Sequence, residues 1–288
     1  MNIAFFGTPD LATIVLDRLD NTPYAPTHIV TAPDRPVGRH QALTPPPVKE
    51  WAIAQNISYS QPGTTDELAT TLKAANEHWD LFIVFAYGAI LPRHIIELPT
   101  HQTLNLHPSL LPLLRGPSPI RSAIYKNMRL TGATIMLMDE AMDHGPILTQ
   151  ALHETPKKEW PPYGTELDHT LVTLGADLLV DTIPGWLDGT IEPQPQDDTQ
   201  ATYCQKLTRQ MGELSIDPFH PATGTVAEQL LRTIRAFAGW PETYFIHDGI
   251  RIKIKDAKID KKGTLRITRI VPAGKPEMDF RDYFNKPT

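Results

Sequence analysis

The sequence predicts an α/β protein with a Rossmann-like, mostly parallel sheet in an N-terminal domain and a small β domain after it. Short apolar runs alternate with helical or turn-rich segments over the first 150 residues. Strands that alternate with helices require crossover connections, which favour a parallel sheet. Beyond Trp240 the apolar period changes to two, as in residues 250–255, which is typical of a strand with one buried face. At about 150 residues per domain, 288 residues suit two domains.

The elements of the first domain follow in order along the chain. Asn2–Gly7 is a buried-strand run, and Thr8-Pro9-Asp10 supplies turn and helix-start residues before apolar positions at helical spacing through Leu19. The remaining apolar and periodic segments predict strands at His28–Thr31, Leu81–Ala86, Thr103–His107 and Thr134–Met138 and helices at Asp66–His78 and Thr165–Leu187, the last bent or ended by Pro184. In such a sheet, ligands bind beyond the carboxyl ends of the strands.

A polar segment separates the two domains. Asp188–Gln200 carries two prolines, four acids and almost no apolar residue, a composition typical of a linker. We therefore predict a first domain over 1–187, a linker over 188–204 and a second domain over 205–288. The second domain is predicted to hold a helix at Ala227–Phe237 and strands at Ile250–Lys255 and Leu265–Val271.

Composition excludes several classes of protein. A single cysteine, Cys204, rules out a disulfide-stapled secreted scaffold, and the longest apolar runs are far short of the roughly 20 residues that span a bilayer. We expect a cytoplasmic protein that does not associate with membranes. Residues 1–204 carry 12 Lys and Arg against 23 Asp and Glu, whereas residues 205–288 carry 15 against 10. The basic second domain suits a polyanionic partner, although this balance is also compatible with an ordinary surface.

The common nucleotide, metal and hydrolase motifs are absent from the sequence. Gly7-Thr8-Pro9-Asp10 follows the first strand but does not match G-x-G-x-x-G, and no G-x-x-x-x-G-K-[ST] occurs. His153-Glu154 lacks the second histidine of a zincin, and Gly116-Pro117-Ser118-Pro119 is not a nucleophile elbow. These observations remove support for NAD binding, P-loop phosphate binding and serine or zinc hydrolysis.

Three polar residues remain as candidates for chemistry. Asn105 and His107 end a predicted strand two residues apart, so their side chains lie on one face. A second strand runs into an acidic turn in which Asp143 stands two residues before Gly145, and its carboxylate could fold back on the imidazole. Singly, each residue is more often a hydrogen-bonded turn residue than a catalyst. Together with the Ser-Leu-Leu-Pro turn at 109–112 they form a much rarer pattern.

This pattern resembles the folate-dependent formyltransferases, in which Asn-x-His precedes Ser-Leu-Leu-Pro and Asp-x-Gly follows. Within that family, the chain is similar to the members that formylate initiator methionyl-tRNA. The similarity extends to further segments along nearly the whole chain: 6–10, 33–39, 47–49, 86–92, 134–136, 234–237, 240–241 and 272–275. The resemblance implies a C-terminal OB-like β-barrel, here shortened because Asp256–Gly263 is too brief for extra strands.

The resemblance implies formyl transfer from 10-formyltetrahydrofolate to the α-amine of initiator methionyl-tRNA, with no metal and with a monomeric enzyme. Asn105 would donate a hydrogen bond to the tetrahedral oxyanion, His107 would donate and move a proton, and Asp143 would orient the imidazole. The implied folate-binding residues are Ser109, Leu110, Leu111, Pro112, Phe85, Ala86, Tyr87, Gly88 and Ile90. The implied tRNA-binding residues are Arg35 and Arg39 in a loop that enters the acceptor stem, and Arg251, Lys253 and Lys255 on a strand.

Two other functions stay open at this stage. Pro108 stands where the family usually has Gly, as in some relatives that act on small amines, so formylation of an amino sugar nucleotide or of glycinamide ribonucleotide is one alternative. A folate- or RNA-binding relative without turnover is the other, against which the intact Asn105, His107 and Asp143 argue. The alternating cations at 251, 253 and 255 also fit an edge strand that resists aggregation.

Overall fold

The computed structural model describes residues 1–38 and 41–284, and the chain divides into two compact units. Unit 1 comprises residues 1–115, 132–153 and 169–203, and unit 2 comprises residues 116–131, 154–168 and 204–288. The predicted division into 1–187, 188–204 and 205–288 stays a prediction.

Unit 1 is built on a seven-stranded sheet in the order β5-β2-β1-β6-β7-β8-β9. Its strands are β1 (Ile3–Phe6), β2 (His28–Val30), β5 (Ser58–Ser60), β6 (Leu81–Val84), β7 (Thr103–His107), β8 (Leu130–Leu137) and β9 (Ile147–Glu154). The pairs from β5 through β7 are parallel, and β7 with β8 is antiparallel. The predicted Rossmann-like, mostly parallel sheet is confirmed. The carboxyl ends of β1, β6 and β7 therefore share one edge.

Helices accompany this sheet, and β3 (Arg35–Val37) and β4 (Ala42–Thr44) form a separate two-stranded antiparallel ribbon. The helices of unit 1 are α1 (Asp10–Asp20), α2 (Pro47–Ala54), α3 (Thr65–Ala75), α4 (Arg93–Ile96) and, from residue 169 on, α6 (Gly164–Leu187), whereas α5 (Pro119–Tyr125) belongs to unit 2. On α1 the apolar residues Ala12, Val15, Leu16 and Leu19 are buried, the i, i+3, i+4 stripe of a helix that packs one face on a core. The apolar strands β1 and β6 are buried along their whole length, which is typical of strands covered on both faces.

The helix predicted over Thr165–Leu187 is observed with almost the same bounds. α6 continues through Pro184 to Leu187. Proline removes one backbone hydrogen bond inside a helix. Here only three residues follow Pro184 before the helix ends, so less than one helical turn lies beyond the missing hydrogen bond. The alternative that Pro184 ends the helix is wrong.

Unit 2 carries a four-stranded antiparallel sheet in the order β10-β11-β12-β13. The elements that follow residue 204 are α7 (Gly224–Ala236), β10 (Thr243–His247), β11 (Ile250–Ile259), β12 (Leu265–Pro272), β13 (Met278–Asp279) and α8 (Phe280–Phe284). Ile252 and Ile254 are buried beneath α7 residues such as Leu231 and Ile234, as the period-two pattern predicts. Residues 260–264 join β11 directly to β12, in agreement with the short connection seen in the sequence.

The polar segment after α6, residues 188–203, is hydrogen-bonded to the rest of unit 1. Gln194 exchanges two 2.8 Å backbone hydrogen bonds with Ile147 of β9, and Tyr203 forms a bridge with Arg115. Its polar composition reflects an extended chain that lies on the surface and donates side-chain hydrogen bonds inward.

Candidate active site

Asn105 and His107 lie two residues apart at the end of β7, the strand on which the predicted site depends. Asn105 pairs with Val84 of β6 on one side and with Met136 of β8 on the other, and His107 pairs with Thr134. Strand pairing on both sides fixes the backbone of Asn105, and pairing with β8 fixes that of His107. Asn105 is half-buried and His107 is 4% exposed, so both side chains lie at the carboxyl edge of the sheet, on one face of the strand.

The imidazole of His107 is engaged at both nitrogens. Its Nε2 lies 3.1 Å from the carbonyl oxygen of Leu114, and a carbonyl can only accept, so Nε2 carries a hydrogen. Its Nδ1 lies 3.6 Å from Oδ1 of Asp143. This gap exceeds a hydrogen bond of 2.7–3.2 Å, and catalytic contacts commonly tighten when substrate binds. The structure thus brings together His107 and Asp143 as the sequence predicts.

Asp143 reaches the imidazole because its turn is sharply bent. The residue has φ of +52°, a left-handed conformation that Asp and Asn adopt more readily than most residues. At Gly145 a side chain would place its Cβ 2.0 Å from the carbonyl oxygen of Leu137, so only glycine fits. The Asp-x-Gly motif is therefore a steric requirement of the turn. The Asp143 side chain is 18% exposed, open to water on one side.

The Ser109–Pro112 turn is mostly internal. The Ser109 hydroxyl donates to the carbonyl of Leu113 at 2.6 Å, and its own carbonyl accepts from Thr134 Oγ1 at 2.6 Å. Leu111 is buried, whereas Leu110 and Pro112 are half-buried. In this structure Ser109 and Leu111 shape the turn, and a direct role of these four residues in folate binding stays a prediction.

The 85–90 segment forms a partly open wall after β6. Phe85 and Tyr87 are buried, and the Tyr87 carbonyl accepts a 3.0 Å hydrogen bond from Thr8 Oγ1. Ala86 and Gly88 have positive φ and are exposed, and Ile90 is 82% exposed. This segment follows the carboxyl end of β6, the edge at which ligands of such sheets bind.

A cleft of about 420 Å³ opens beside the acidic turn. It is lined by residues of α4 and of the 138–144 turn: Arg93, Ile96, Glu97, Met138, Asp139, Glu140, Ala141 and His144. The sequence analysis assigned none of these residues to a binding site, because only the fold brings α4 to the turn.

The predicted tRNA-binding residues differ in their surroundings. Arg35 is exposed on β3, and Arg39 lies outside the described residues. On β11 the Arg251 guanidinium stacks 3.7 Å from the Tyr244 ring centre, whereas Lys253 and Lys255 both pair with Glu242. The two lysines and Glu242 together carry a charge of about +1 rather than +2, which reduces the charge available to a polyanion.

Similarity to known proteins agrees with the geometry of the site. The family model described as formyl transferase matches residues 1–159, and the one described as formyl transferase, C-terminal domain, matches residues 225–265. The chain belongs to the formyl transferase family. Residues 105, 107 and 143 fall within the first match, so the family assignment and the predicted catalytic residues concern the same part of the chain.

Individual relatives of this formyl transferase cover almost the whole chain. It is 42% identical over 262 residues to a methionyl-tRNA formyltransferase of Chloroflexus aggregans, covering 90% of this chain and 81% of that protein. It is 36% identical over 305 residues to the Bacillus licheniformis methionyl-tRNA formyltransferase, covering 98% and 93%. A solved methionyl-tRNA formyltransferase from Clostridium thermocellum shares the fold, with a TM-score of 0.61, 19% identity, and 94% and 98% coverage.

His144 gives this formyl transferase a titratable group beside Asp143. Its Nδ1 lies 2.6 Å from Asp139 Oδ2 and its Nε2 lies 3.4 Å from Asp198 Oδ2. The hydrogen bond with Asp139 raises the pKa of His144 above its ordinary value of 6.5, with Asp198 adding to the effect. The charged form is therefore favoured by folding, and these ion pairs are complete below pH 6.5 and are lost as pH rises through the raised pKa.

This charge state can be tested by NMR titration of the imidazole Cε1–H signal of His144, assigned through His144→Gln. We expect a midpoint above 6.5, lowered more by Asp139→Asn than by Asp198→Asn because the Asp139 contact is the shorter one. A midpoint at or below 6.5 in the wild-type protein would contradict the assignment.

Proposed function

We propose that this formyl transferase moves the formyl group of 10-formyltetrahydrofolate to the α-amine of initiator methionyl-tRNA. The observation that supports this most directly is the pairing of His107 with Asp143 at 3.6 Å, next to Asn105 on the same strand, in a chain similar over 98% of its length to a methionyl-tRNA formyltransferase. The family to which the chain belongs uses 10-formyltetrahydrofolate as formyl donor.

The three side chains supply what attack of an amine on a formyl carbon requires. The carbonyl oxygen gains negative charge as the amine adds, and a donor placed there before the reaction stabilises that charge. The Asn105 amide is the neutral donor at this edge. The amine must also lose a proton, and the leaving nitrogen must gain one. His107 with Asp143 can take and return that proton, since the carboxylate stabilises the imidazolium that forms.

The folate molecule would be held by this chain's own exposed wall and turn. Residues 86–90 present exposed backbone and the apolar Ile90 side chain, and Leu110 and Pro112 are partly open. Covering an exposed isoleucine is worth about 1.5–3 kcal/mol when it is fully buried. The surroundings therefore suit a ligand that has an apolar ring face and hydrogen-bonding edges.

The proposed activity is tested by following formyl transfer from 10-formyltetrahydrofolate to alternative acceptors. We expect rapid formylation of methionyl initiator tRNA and little with an amino sugar nucleotide or glycinamide ribonucleotide. Preference for either small amine would contradict the proposed acceptor, and no transfer to any acceptor would favour a binding protein.

We further propose that the protein acts as a monomer in the cytoplasm and without a membrane partner. In the described residues, no helix has the length and apolar character needed to cross a bilayer. Light scattering after size-exclusion chromatography should give the mass of one 32.2 kDa chain, and a stable dimer would contradict the monomer.

The basic face of β11 is proposed to contact the tRNA backbone. Replacing Arg251, Lys253 and Lys255 together by Gln should weaken tRNA binding and flatten its dependence on log salt, since each lost phosphate contact removes roughly 0.7–0.9 from the slope. Because Glu242 already pairs with both lysines, we expect a loss of fewer than three contacts. Fluorescence titration of tRNA at several salt concentrations measures this.

Two controls sharpen this measurement. Replacing Lys73, Lys157 and Lys158, which are exposed elsewhere, by Gln removes the same charge and should leave the slope unchanged. Glu242→Gln should strengthen tRNA binding, because it removes the carboxylate that holds both lysines. Folate affinity should stay constant in every variant. A salt slope unaffected by the β11 replacements would show that these cations do not meet tRNA.

A further inference from the structure

We infer that Gln196 and Arg115 are positioning residues for the reaction: together they hold the Asp143 turn against His107. This inference rests on the proposed roles of His107 and Asp143. Neither residue carries a catalytic motif, and Gln196 lies in the segment that the sequence predicts as a linker.

Arg115 is an unusual residue for its surroundings. It is 2% exposed, although arginine is rarely buried unless it is paired. Its Nε and Nη2 donate to the same oxygen, Oε1 of Gln196, at 3.0 and 2.8 Å. Its Nη2 also pairs with Asp198 at 2.8 Å. A buried guanidinium whose fork is directed at one amide oxygen fixes which way that amide faces.

The other end of the Gln196 amide is directed at the catalytic turn. Its Nε2 donates to the backbone carbonyl of Asp143 at 3.0 Å and to that of Gly145 at 2.8 Å. Because Arg115 requires an oxygen on one side and the turn requires a nitrogen on the other, only an amide satisfies both. The two bonds span the left-handed residue Asp143, whose conformation is costly without such support.

The same segment also holds the second partner of His107. The backbone N–H of Leu114 donates to Thr202 Oγ1 at 2.9 Å, and that of Arg115 donates to the Thr202 carbonyl at 2.9 Å. The Leu114 carbonyl in turn accepts from His107 Nε2. Both groups that face the imidazole, Asp143 at Nδ1 and Leu114 at Nε2, are thus tied to residues 196–202. Arg115 and Gln196 connect the two sides.

The discriminating variant is Gln196→Glu. A glutamate keeps an oxygen for Arg115 but places a second acceptor against the carbonyls of Asp143 and Gly145, so the turn loses both hydrogen bonds. We expect kcat to fall about 10- to 100-fold, because a displacement of about 1 Å at a catalytic group can cost 10²-fold, while the KM values for tRNA and folate change less than threefold. Gln194→Glu is the matched control, since among the described residues its side chain bonds only the nearby Glu192 carbonyl.

A mutant cycle separates positioning from a purely structural role. In an Asp143→Asn background, Gln196→Glu should lower kcat further by less than twofold, because the group that it positions has already lost its charge. A loss by the same factor in both backgrounds, or no loss at all, would overturn the inference. If Gln196→Glu does not fold, the double variant Arg115→Met/Gln196→Met removes the turn's donors without leaving an unpaired buried charge, and the same kcat loss is expected.

An NMR measurement made without a formyl acceptor tests this inference independently of the proposed function. The Cε1–H resonance of His107 should move in Gln196→Glu and stay in place in Gln194→Glu. If that result is found but no formyl transfer to methionyl-tRNA occurs, the positioning contact holds and the proposed acceptor fails. An unmoved His107 resonance would overturn the contact even in an active enzyme.

Discussion

Asn105→Ala should lower kcat for formyl transfer by about 10²–10³-fold, which is the usual effect of removing one oxyanion donor. Asn105 lies in the middle of the sheet, with Val84 paired on one side and Met136 on the other, so its backbone has no freedom to compensate. Its side chain is half-buried at the edge where the ligand would lie. The measurement is single-turnover formyl transfer, with folate affinity determined separately by fluorescence.

Asn105→Asp shows whether the loss of kcat comes from the missing N–H donor or from the missing bulk of the side chain, and a distant asparagine serves as the control. Asn105→Asp keeps the size of the side chain but replaces the N–H donor by a carboxylate oxygen, and we expect a loss at least as large as that of the alanine. Asn21→Ala, at the exposed end of α1, should leave turnover unchanged. If Asn105→Ala turns over at nearly the wild-type rate while the chemical step limits, the oxyanion donor is another group.

The part of the fold that carries the site was predictable because it obeys local rules. Thr103–His107 alternates buried apolar residues with Asn105 and ends before a proline, and the observed β7 has the predicted bounds. The direction of its neighbour was not predictable: β8 spans Leu130–Leu137 and runs antiparallel to β7. Apolar periodicity marks a strand and its buried face, and it carries no information on which way the chain runs through the sheet.

Short exposed elements were missed for a different reason. The ribbon of β3 and β4 has three residues in each strand, all exposed, so no buried face imposes a pattern on the sequence. β5 is likewise three residues long with no buried position. These strands form because backbone pairing satisfies their N–H and C=O groups, which every residue type except proline carries, so the pairing leaves little trace in the sequence.

The residues that hold the Asp143 turn were not predicted, because they are far apart in the sequence. Asp143, Arg115 and Gln196 lie up to 81 positions apart, and the composition of residues 188–200 is typical of a linker. One signal was present: Arg115 follows five consecutive apolar or proline residues, and a charge in such a run requires a buried partner. Its partner could not be identified without the fold.

The second large effect is expected at His107 and Asp143. His107→Ala should lower kcat by about 10²–10⁴-fold through the loss of proton transfer, and Asp143→Ala should cost a similar factor. Their contact is direct, with Nδ1 and Oδ1 3.6 Å apart, and the imidazole is buried, so no water can readily take its place. Folate binding should survive both changes. His94→Ala, on the exposed surface of α4, is the matched control.

The strongest test of this pair is whether its two members act as a unit. If Asp143 acts only through His107, the double variant His107→Ala/Asp143→Ala should be little slower than His107→Ala alone, because the second change removes a group with nothing left to orient. Asp143→Asn keeps the shape of the turn and removes the charge, so it should reproduce most of the loss seen with alanine. Losses that multiply in the double variant would instead mean that Asp143 contacts the reacting atoms itself, for example by accepting the amine proton through water. That result would transfer the role of base from His107 to the carboxylate while leaving Asn105 as the oxyanion donor.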